Sequence, residues 1–386
     1  MKVVHIAPRV SYNEGWGYQD NLLPKYVAKM GNDVTLIATT IEQANGTIKE
    51  VDETDYISKD GFRVIRRKIH PSIFCKIGFL FSWINVYNLL KEIKPDFIFV
   101  HAMVSATIFQ VVRYKKNINP NVIIVQDNHL DYNIGFDPNK SIKYKVYKYI
   151  FRAYYALTNK YIAKVYGVTP WRKKYAEEVF GVPSSKTDVL IMGADDDQID
   201  FQHHNEIREK LRKQYDVKES DFLIVTGGKI DKRKKIDLLM QAAVGMNNVK
   251  LLVFGSVLDD VREEFERVLN ISNNIIYVGW IDAANAYDYF FAADLVFFPG
   301  QHSVLWEQAC ASKVPCVFER WEGMDHVNNG GNSDFVSPVT VESLKAKIDE
   351  LKFTPKYFKM KAVAESEKTD IYLYSKIAEK SLECAK

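Results

Sequence analysis

The chain has 386 residues, of which 47% are hydrophobic, 26% charged and 13% aromatic. This is enough chain for two domains at roughly 100–200 residues each, and so many aromatics exclude a disordered polypeptide. A net charge of +3 is too small to argue for a nucleic-acid protein, so local patches carry the electrostatic argument.

In chain order, "KVVHIAP" (residues 2–8) reads as a buried strand. "QDNLLPKYVAKMG" (19–31) then has apolar residues at helical spacing and stops at Gly31. "DVTLIATT", "PDFIFVHA", "NVIIVQDN" and "VYGVTP" repeat the strand signal with helical patterns between them. Continuous β-branched runs alternating with helices predict a parallel sheet covered on both faces. After Gly193 the pattern restarts with "DFLIVTGG", "VKLLVFGS", "NIIYVGW", "DLVFFPG" and "VPCVFER". The prediction is therefore α/β, two doubly wound Rossmann-like domains facing each other across a cleft. The acidic, glycine-containing stretch "IMGADDDQIDF" marks the boundary. The expected division is 1–192, 193–360 and a terminal helical segment 361–386.

Other features are quieter. Cys75, Cys310, Cys316 and Cys384 fit no zinc spacing and no CxxC pair, and read as reduced packing residues of an intracellular protein. The first residues lack a signal-peptide pattern. No run of about 18 apolar residues occurs; the nearest, Ile73–Leu90, is interrupted by Lys76. The sequons at Asn45 and Asn270 are taken as chance. Asp195–Asp197 reads as a solvated hinge rather than a metal site.

"GGKIDKRKKIDLL" (227–239) ends a strand with two glycines and then places five cations between Lys229 and Lys235. A solvated helix start is one reading. Cations crowded at a helix N-terminus oppose its dipole, however, and so point to an anion held there. No GxxxxGK[ST] motif is present, so this is not a P-loop. "EGWGYQD", with Gly17, lacks the third glycine of a dinucleotide fingerprint; it is either a flexible loop or backbone offered to a phosphate. In "FFPGQHSVLWEQACASKVPCVF", His302 and Ser303 precede a helix carrying Glu307. The amides of Ser303, Val304 and Leu305 then form an anion site, and Glu307 either accepts two hydroxyls of a ribose or acts as a structural cap partner. Asp127, Asn128 and His129 follow a strand end in the first half, as turn caps or as site residues.

These pieces, in this order, resemble glycosyltransferase family 4 with the GT-B fold over nearly the whole chain. "GGKIDKRKK" is similar to the family's G-R-x-x-x-x-K element, with Gly228 preceding Lys229 at the arginine position and Lys234 at the lysine position. The resemblance implies that these two cations clamp the diphosphate of a nucleotide-sugar. Trp280 and Ile281 fall where the family touches the nucleotide base. "WEQACASKVPCV" is similar to its E-A-x-A-x-G-x-P-V helix, so Glu307 would hold the ribose. His129 falls near its active-site histidine, and Gly17 lies in its glycine-containing loop. The chain departs from the family where Pro299 stands eight positions before Glu307, in place of the first of two glutamates; His302 is the expected stand-in. Lys229 for arginine keeps the charge but loses a bidentate fork.

The resemblance implies a retaining glycosyl or hexosyl transfer from a nucleoside-diphosphate sugar to an acceptor hydroxyl in bacterial-type cell-surface glycan assembly. No metal or other cofactor is required, and the leaving phosphate oxygen takes the acceptor proton. The alternatives are a non-catalytic GT-B partner that binds nucleotide or glycan, and a sugar-nucleotide epimerase. Residues 139–167 and 62–83 interleave Lys and Arg with Tyr, Phe and Ile. They are either helices packed on the sheet with lysines in water or a surface for an anionic membrane carrying a lipid-linked acceptor. The expected location is the cytoplasm, with contact at the inner face of the membrane as a further expectation, and the expected partners include no nucleic acid.

Overall fold

The computed structural model describes residues 1–9, 11–44, 47–70, 82–133 and 137–385. The sequon at Asn45, Cys75, and residues 73–81 of the interrupted apolar stretch lie outside them. The chain divides into two units, Met1–Met192 with Tyr374–Lys386, and Gly193–Leu373.

The first unit runs β1 (Lys2–Ala7), α1 (Gln19–Lys29), β2 (Asp33–Thr39), a separate hairpin of β3 (Ile41–Ala44) and β4 (Thr47–Glu50), then β5 (Asp55–Ile57) and β6 (Arg63–Arg67). It continues with α2 (Tyr87–Ile93), β7 (Phe97–Val100), α3 (Thr107–Asn117), β8 (Ile123–Asn128), α4 (Ile142–Thr158), β9 (Lys164–Gly167), α5 (Pro170–Tyr175) and β10 (Thr187–Val189). Eight of these strands form one sheet in the order β10-β9-β8-β7-β1-β2-β6-β5. Every pair is parallel except β5 with β6. Successive side chains of a strand point to opposite faces, which sorts the core. Val4 and Ile6 join Ile98, Val100, Val111 and Phe151 on one side. Val3 and Ala7 join Phe97, Phe99, Leu22 and Leu23 on the other. His5 shares the second face and is fully buried.

The second unit runs α6 (His204–Gln214), β11 (Phe222–Ile230), α7 (Ile236–Ala243), β12 (Val249–Val257), α8 (Arg262–Ile271), β13 (Ile275–Gly279), α9 (Ala286–Ala292) and β14 (Leu295–Phe298). α10 (Leu305–Ala311), β15 (Cys316–Glu319), β16 (Ser333–Val336), α11 (Val341–Leu351) and α12 (Pro355–Ala364) complete it. Its six strands are all parallel, in the order β13-β12-β11-β14-β15-β16. Strand order reverses at β11 in this unit and between β1 and β7 in the first. In open α/β sheets, ligands bind outside the carboxyl ends of the strands at such switch points.

The terminal segment differs from the division expected at residue 361. Tyr357 and Met360 of α12 are buried with Phe222 and Leu344 in the second unit's core, which keeps that helix there. The segment that belongs to the first unit starts at Tyr374, with α13 (Tyr374–Ser381). Tyr374 stacks on Tyr26 of α1 at 6.3 Å between ring centroids, Ile377 and Ala378 share a core with Leu22 and Leu23, and Lys164 pairs with Glu383 at 2.5 Å.

Candidate functional site

At the carboxyl end of β11, the strand must pass unusually close to β12. Gly228 has φ +106° and Gly255 φ +122°, a region that favours glycine. A Cβ on Gly255 would lie 1.8 Å from the Gly228 carbonyl oxygen, and one on Gly228 2.9 Å from Leu305 Cδ1. The glycines therefore form the floor of a pocket of about 450 Å³ lined by Gly228, Lys229, Ser256, Trp280, Ile281 and Leu305, among others. Lys229 is exposed, and no described side chain pairs with it. Trp280 is 67% exposed, an apolar platform without burial of its own. Sequence reasoning had named five of these residues from separate stretches; the fold brings them to one mouth.

The other cations of the run have different surroundings. Arg233 is tied to Asp231 at 2.6 Å and Lys235 to Glu319 at 2.5 Å. Lys234 reaches the carbonyl oxygen of Gln301 at 2.6 Å and that of His302 at 3.4 Å. Burial lowers its pKa to about 8, because a charged amine loses hydration there. A latch explains the geometry: Gly300 packs on the 233–234 backbone so closely that a Cβ would meet it at 2.4 Å, and the Gln301 amide donates to the Arg233 carbonyl. The run is thus a turn clasped by the β14–α10 loop, with Lys229 at the pocket and Lys234 holding the loop.

Glu307 is fully buried. Its Oε1 accepts from His302 Nε2 at 2.8 Å and from His326 Nε2 at 2.7 Å. Burial alone would raise its pKa, but the charge and hydrogen bond of His302, with those of His326, outweigh it and hold the carboxyl at about 2. Its Oε2 is buried and has no partner among the described residues. His302 thus faces Glu307, with 7% of its side chain exposed. Ser303 and Val304 lie half-buried on the approach to α10.

In the first unit, the switch point between β1 and β7 holds a chain of ionisable groups. His5 Nδ1 lies 3.0 Å from His101 Nε2. His101 Nδ1 lies 3.0 Å from Asp127 Oδ2, and His129 Nε2 lies 3.3 Å from that same oxygen. Burial opposes the charge on Asp127, but His129 and His101 overcome it and leave the carboxyl well below its usual range. Burial acts against a charged His101 as well, yet Asp127 raises its pKa; His5, buried beside His101, is pushed well down. Asp20, in the first turn of α1, is raised by burial and by Asp127. Gly17 lies just before that helix, with no atom of the described residues within 4 Å of a Cβ built on it.

Residues 207–364 match the family model "Glycosyl transferases group 1", and residues 22–160 match "Glycosyl transferase 4-like". Two glycosyltransferase models, one of them family 4-like, thus match successive parts of the chain. A processive diacylglycerol alpha-glucosyltransferase of Acholeplasma laidlawii is 28% identical over 169 residues, 41% of this chain and 50% of that protein. The match thus spans half the length of that relative. An uncharacterized 41.2 kDa protein in the cps region of Klebsiella pneumoniae is 27% identical over 282 residues, 70% of this chain and 75% of that one. Among solved structures, Anabaena HepE in complex with UDP superposes with a TM-score of 0.70 at 18% identity, covering 100% of this chain and 99% of that one. The GT-B fold follows from that likeness.

For this glycosyltransferase the sequence missed three members of its buried clusters. His326 sits in a short turn, Asp325–Val327, 19 positions after Glu307, with no pattern to tie the two. His5 lies inside the apolar run of β1 and His101 just past that of β7, where a histidine reads as core. Only strand order brings them to Asp127.

Proposed function

We propose that the chain transfers a sugar from a nucleoside-diphosphate donor to an acceptor hydroxyl, with retention at the anomeric carbon. The observation that carries this reading is the pocket at the β11–β12 carboxyl ends, where Lys229, unpaired among the described residues, converges with glycine backbone and exposed Trp280 inside the segment that matches the glycosyltransferase model. Trp280 and Ile281 would take the base and Lys229 the diphosphate, with no metal called for. HepE, whose fold this chain shares, is known in complex with UDP and with UDP-glucose. As the sugar–phosphate bond breaks, the sugar becomes oxocarbenium-like and negative charge grows on the diphosphate. A fixed cation stabilises that charge more in the transition state than in the ground state, which is what raises turnover. Lys234 contributes positive potential while holding the 301–302 loop.

The acceptor side rests on α4. Ile142, Val146, Tyr149 and Leu157 are exposed, spaced by four, three and eight residues, so they share one face. Lys143 and Lys145 are exposed beside them, while Tyr147, Phe151, Tyr154 and Tyr155 bury the other face. An apolar stripe flanked by cations suits an anionic membrane surface and hence a lipid-linked acceptor of cell-surface glycan assembly. No helix among the described residues is long and apolar enough to cross a membrane.

A binding-only role is the second reading, favoured by the complete burial of Glu307 and by Pro299 at the first-glutamate position. Incubation with a panel of nucleotide-sugars separates the two: slow release of free sugar, with the α or β anomer read by NMR, supports transfer. Nucleotide binding without turnover under several acceptors overturns transfer in favour of the binding role. Failure to co-sediment with anionic vesicles overturns the membrane-borne acceptor.

A further inference from the structure

The switch point of the first unit holds more than one candidate histidine, and its hydrogen bonds have a direction. Asp127 Oδ2 faces His101 Nδ1 at 3.0 Å and His129 Nε2 at 3.3 Å. Asp127 Oδ1 is buried and has no partner among the described residues, so both imidazoles share one oxygen. A carboxylate only accepts; each nitrogen facing it therefore carries a proton. For His129 this leaves Nδ1 of the neutral ring as a bare acceptor. The ring is 39% exposed, whereas Asp127 is fully buried, so the acceptor belongs to the accessible end of the chain. His101 is held in turn: its other nitrogen meets His5 Nδ1 at 3.0 Å, and His5 stacks on Phe99 at 5.6 Å. Whether His101 is neutral or charged, the nitrogen against Asp127 keeps its proton.

We infer that Asp127, backed by His101 and His5, is a positioning residue that fixes His129 as the Nε2–H tautomer, so that the site presents a hydrogen-bond acceptor to a hydroxyl of the substrate. A neutral acceptor holds a hydroxyl that donates and gives nothing to a phosphate or carboxylate oxygen, which are acceptors themselves. The ligand group at this switch point is therefore a sugar or acceptor hydroxyl and not the diphosphate. This rests on the proposed glycosyl transfer only for its effect on turnover; the tautomer stands or falls by itself. The ionisable groups gathered at this point are Asp127 on β8, His101 after β7, His5 on β1 and Asp20 on α1.

Two-bond ¹H–¹⁵N correlation spectra of the labelled full chain, with His129 assigned through His129→Gln, read the tautomer. We expect Nε2–H for wild-type His129 and an Nδ1–H signal in Asp127→Asn, whose amide can donate toward the ring. That variant should lose at least about tenfold in turnover of donor, of the order of one hydrogen bond, with KM nearly unchanged. His101→Leu leaves Asp127 with His129 alone, so His129 should stay Nε2–H there as well. An Nδ1–H signal for His129, in wild type or in His101→Leu, overturns the inference even if Asp127→Asn fails to fold. A wild-type chain that binds no nucleotide-sugar overturns the transferase reading and leaves the tautomer result intact.

Discussion

His326 Nε2 donates to Glu307 Oε1 at 2.7 Å, and His302 donates to the same oxygen at 2.8 Å. One buried carboxylate thus links the β14–α10 loop to the turn after β15. Replacing His326 by Ala should cost about 1–3 kcal/mol, the penalty of leaving one donor site of a buried charged acceptor unmade. Urea midpoints of wild type and variant check it. A change within about 0.5 kcal/mol, the range of ordinary surface substitutions, would show that His302 alone satisfies Glu307.

The same cluster sets an acid limit. The Glu307 pKa falls from 4.5 to about 2 on folding, so the unfolded chain binds the extra proton in that interval. Its stabilisation is complete above about pH 4.5 and disappears as pH falls toward 2. The stability gap between wild type and Glu307→Gln should therefore narrow from pH 5 to pH 3, measured by urea titration at each pH. A constant gap would mean that the carboxylate is not the group whose charge matters.

Lys234 makes an opposite prediction. Its amine is protonated below about pH 8 and neutral above. If its charge assists the departing diphosphate, kcat/KM for donor hydrolysis falls as pH rises through 8, since that parameter reports groups of the free enzyme. Lys234→Arg, which keeps its charge, should lose that limb. A limb retained in the arginine variant would assign it to another group.

Gly300 and Gly17 form a matched pair. An alanine at 300 would place Cβ 2.4 Å from the backbone of Arg233 and Lys234, so Gly300→Ala should cost about 2–3 kcal/mol, in the range of severe core substitutions. A Cβ on Gly17 meets no described atom within 4 Å, so Gly17→Ala should leave the melting temperature unchanged. Lower nucleotide-sugar affinity in this second variant alone would show that Gly17 is kept for a ligand.

Trp280 is 67% exposed, and its removal should not disturb the fold. Stacking of a base on an aromatic ring is worth about 1–3 kcal/mol, so Trp280→Ala should weaken nucleoside-diphosphate binding by calorimetry on the order of five- to a hundredfold. Unchanged affinity would move the base away from Trp280.

The alternation of apolar runs and helical patterns determined a great deal before any coordinates. A parallel sheet buried on both faces needs continuous β-branched strands, and "FLIVTGG" or "KVVHIA" can be little else. The restart after Gly193 was legible for the same reason. Gly228 and Lys229 were legible too, at the carboxyl end of an apolar run, whereas Trp280 and Ile281 came only from the family resemblance. Tertiary structure decided what those ends enclose. It set His302 against Glu307 and Lys234 against loop carbonyls, and kept α12 in the second unit because Tyr357 and Met360 fill its core. It also assembled His5, His101, Asp127 and His129, and brought His326 to Glu307. Hydrophobic periodicity records which face of an element is buried. It does not record which strand lies beside which, and each of these polar partnerships depends on that order.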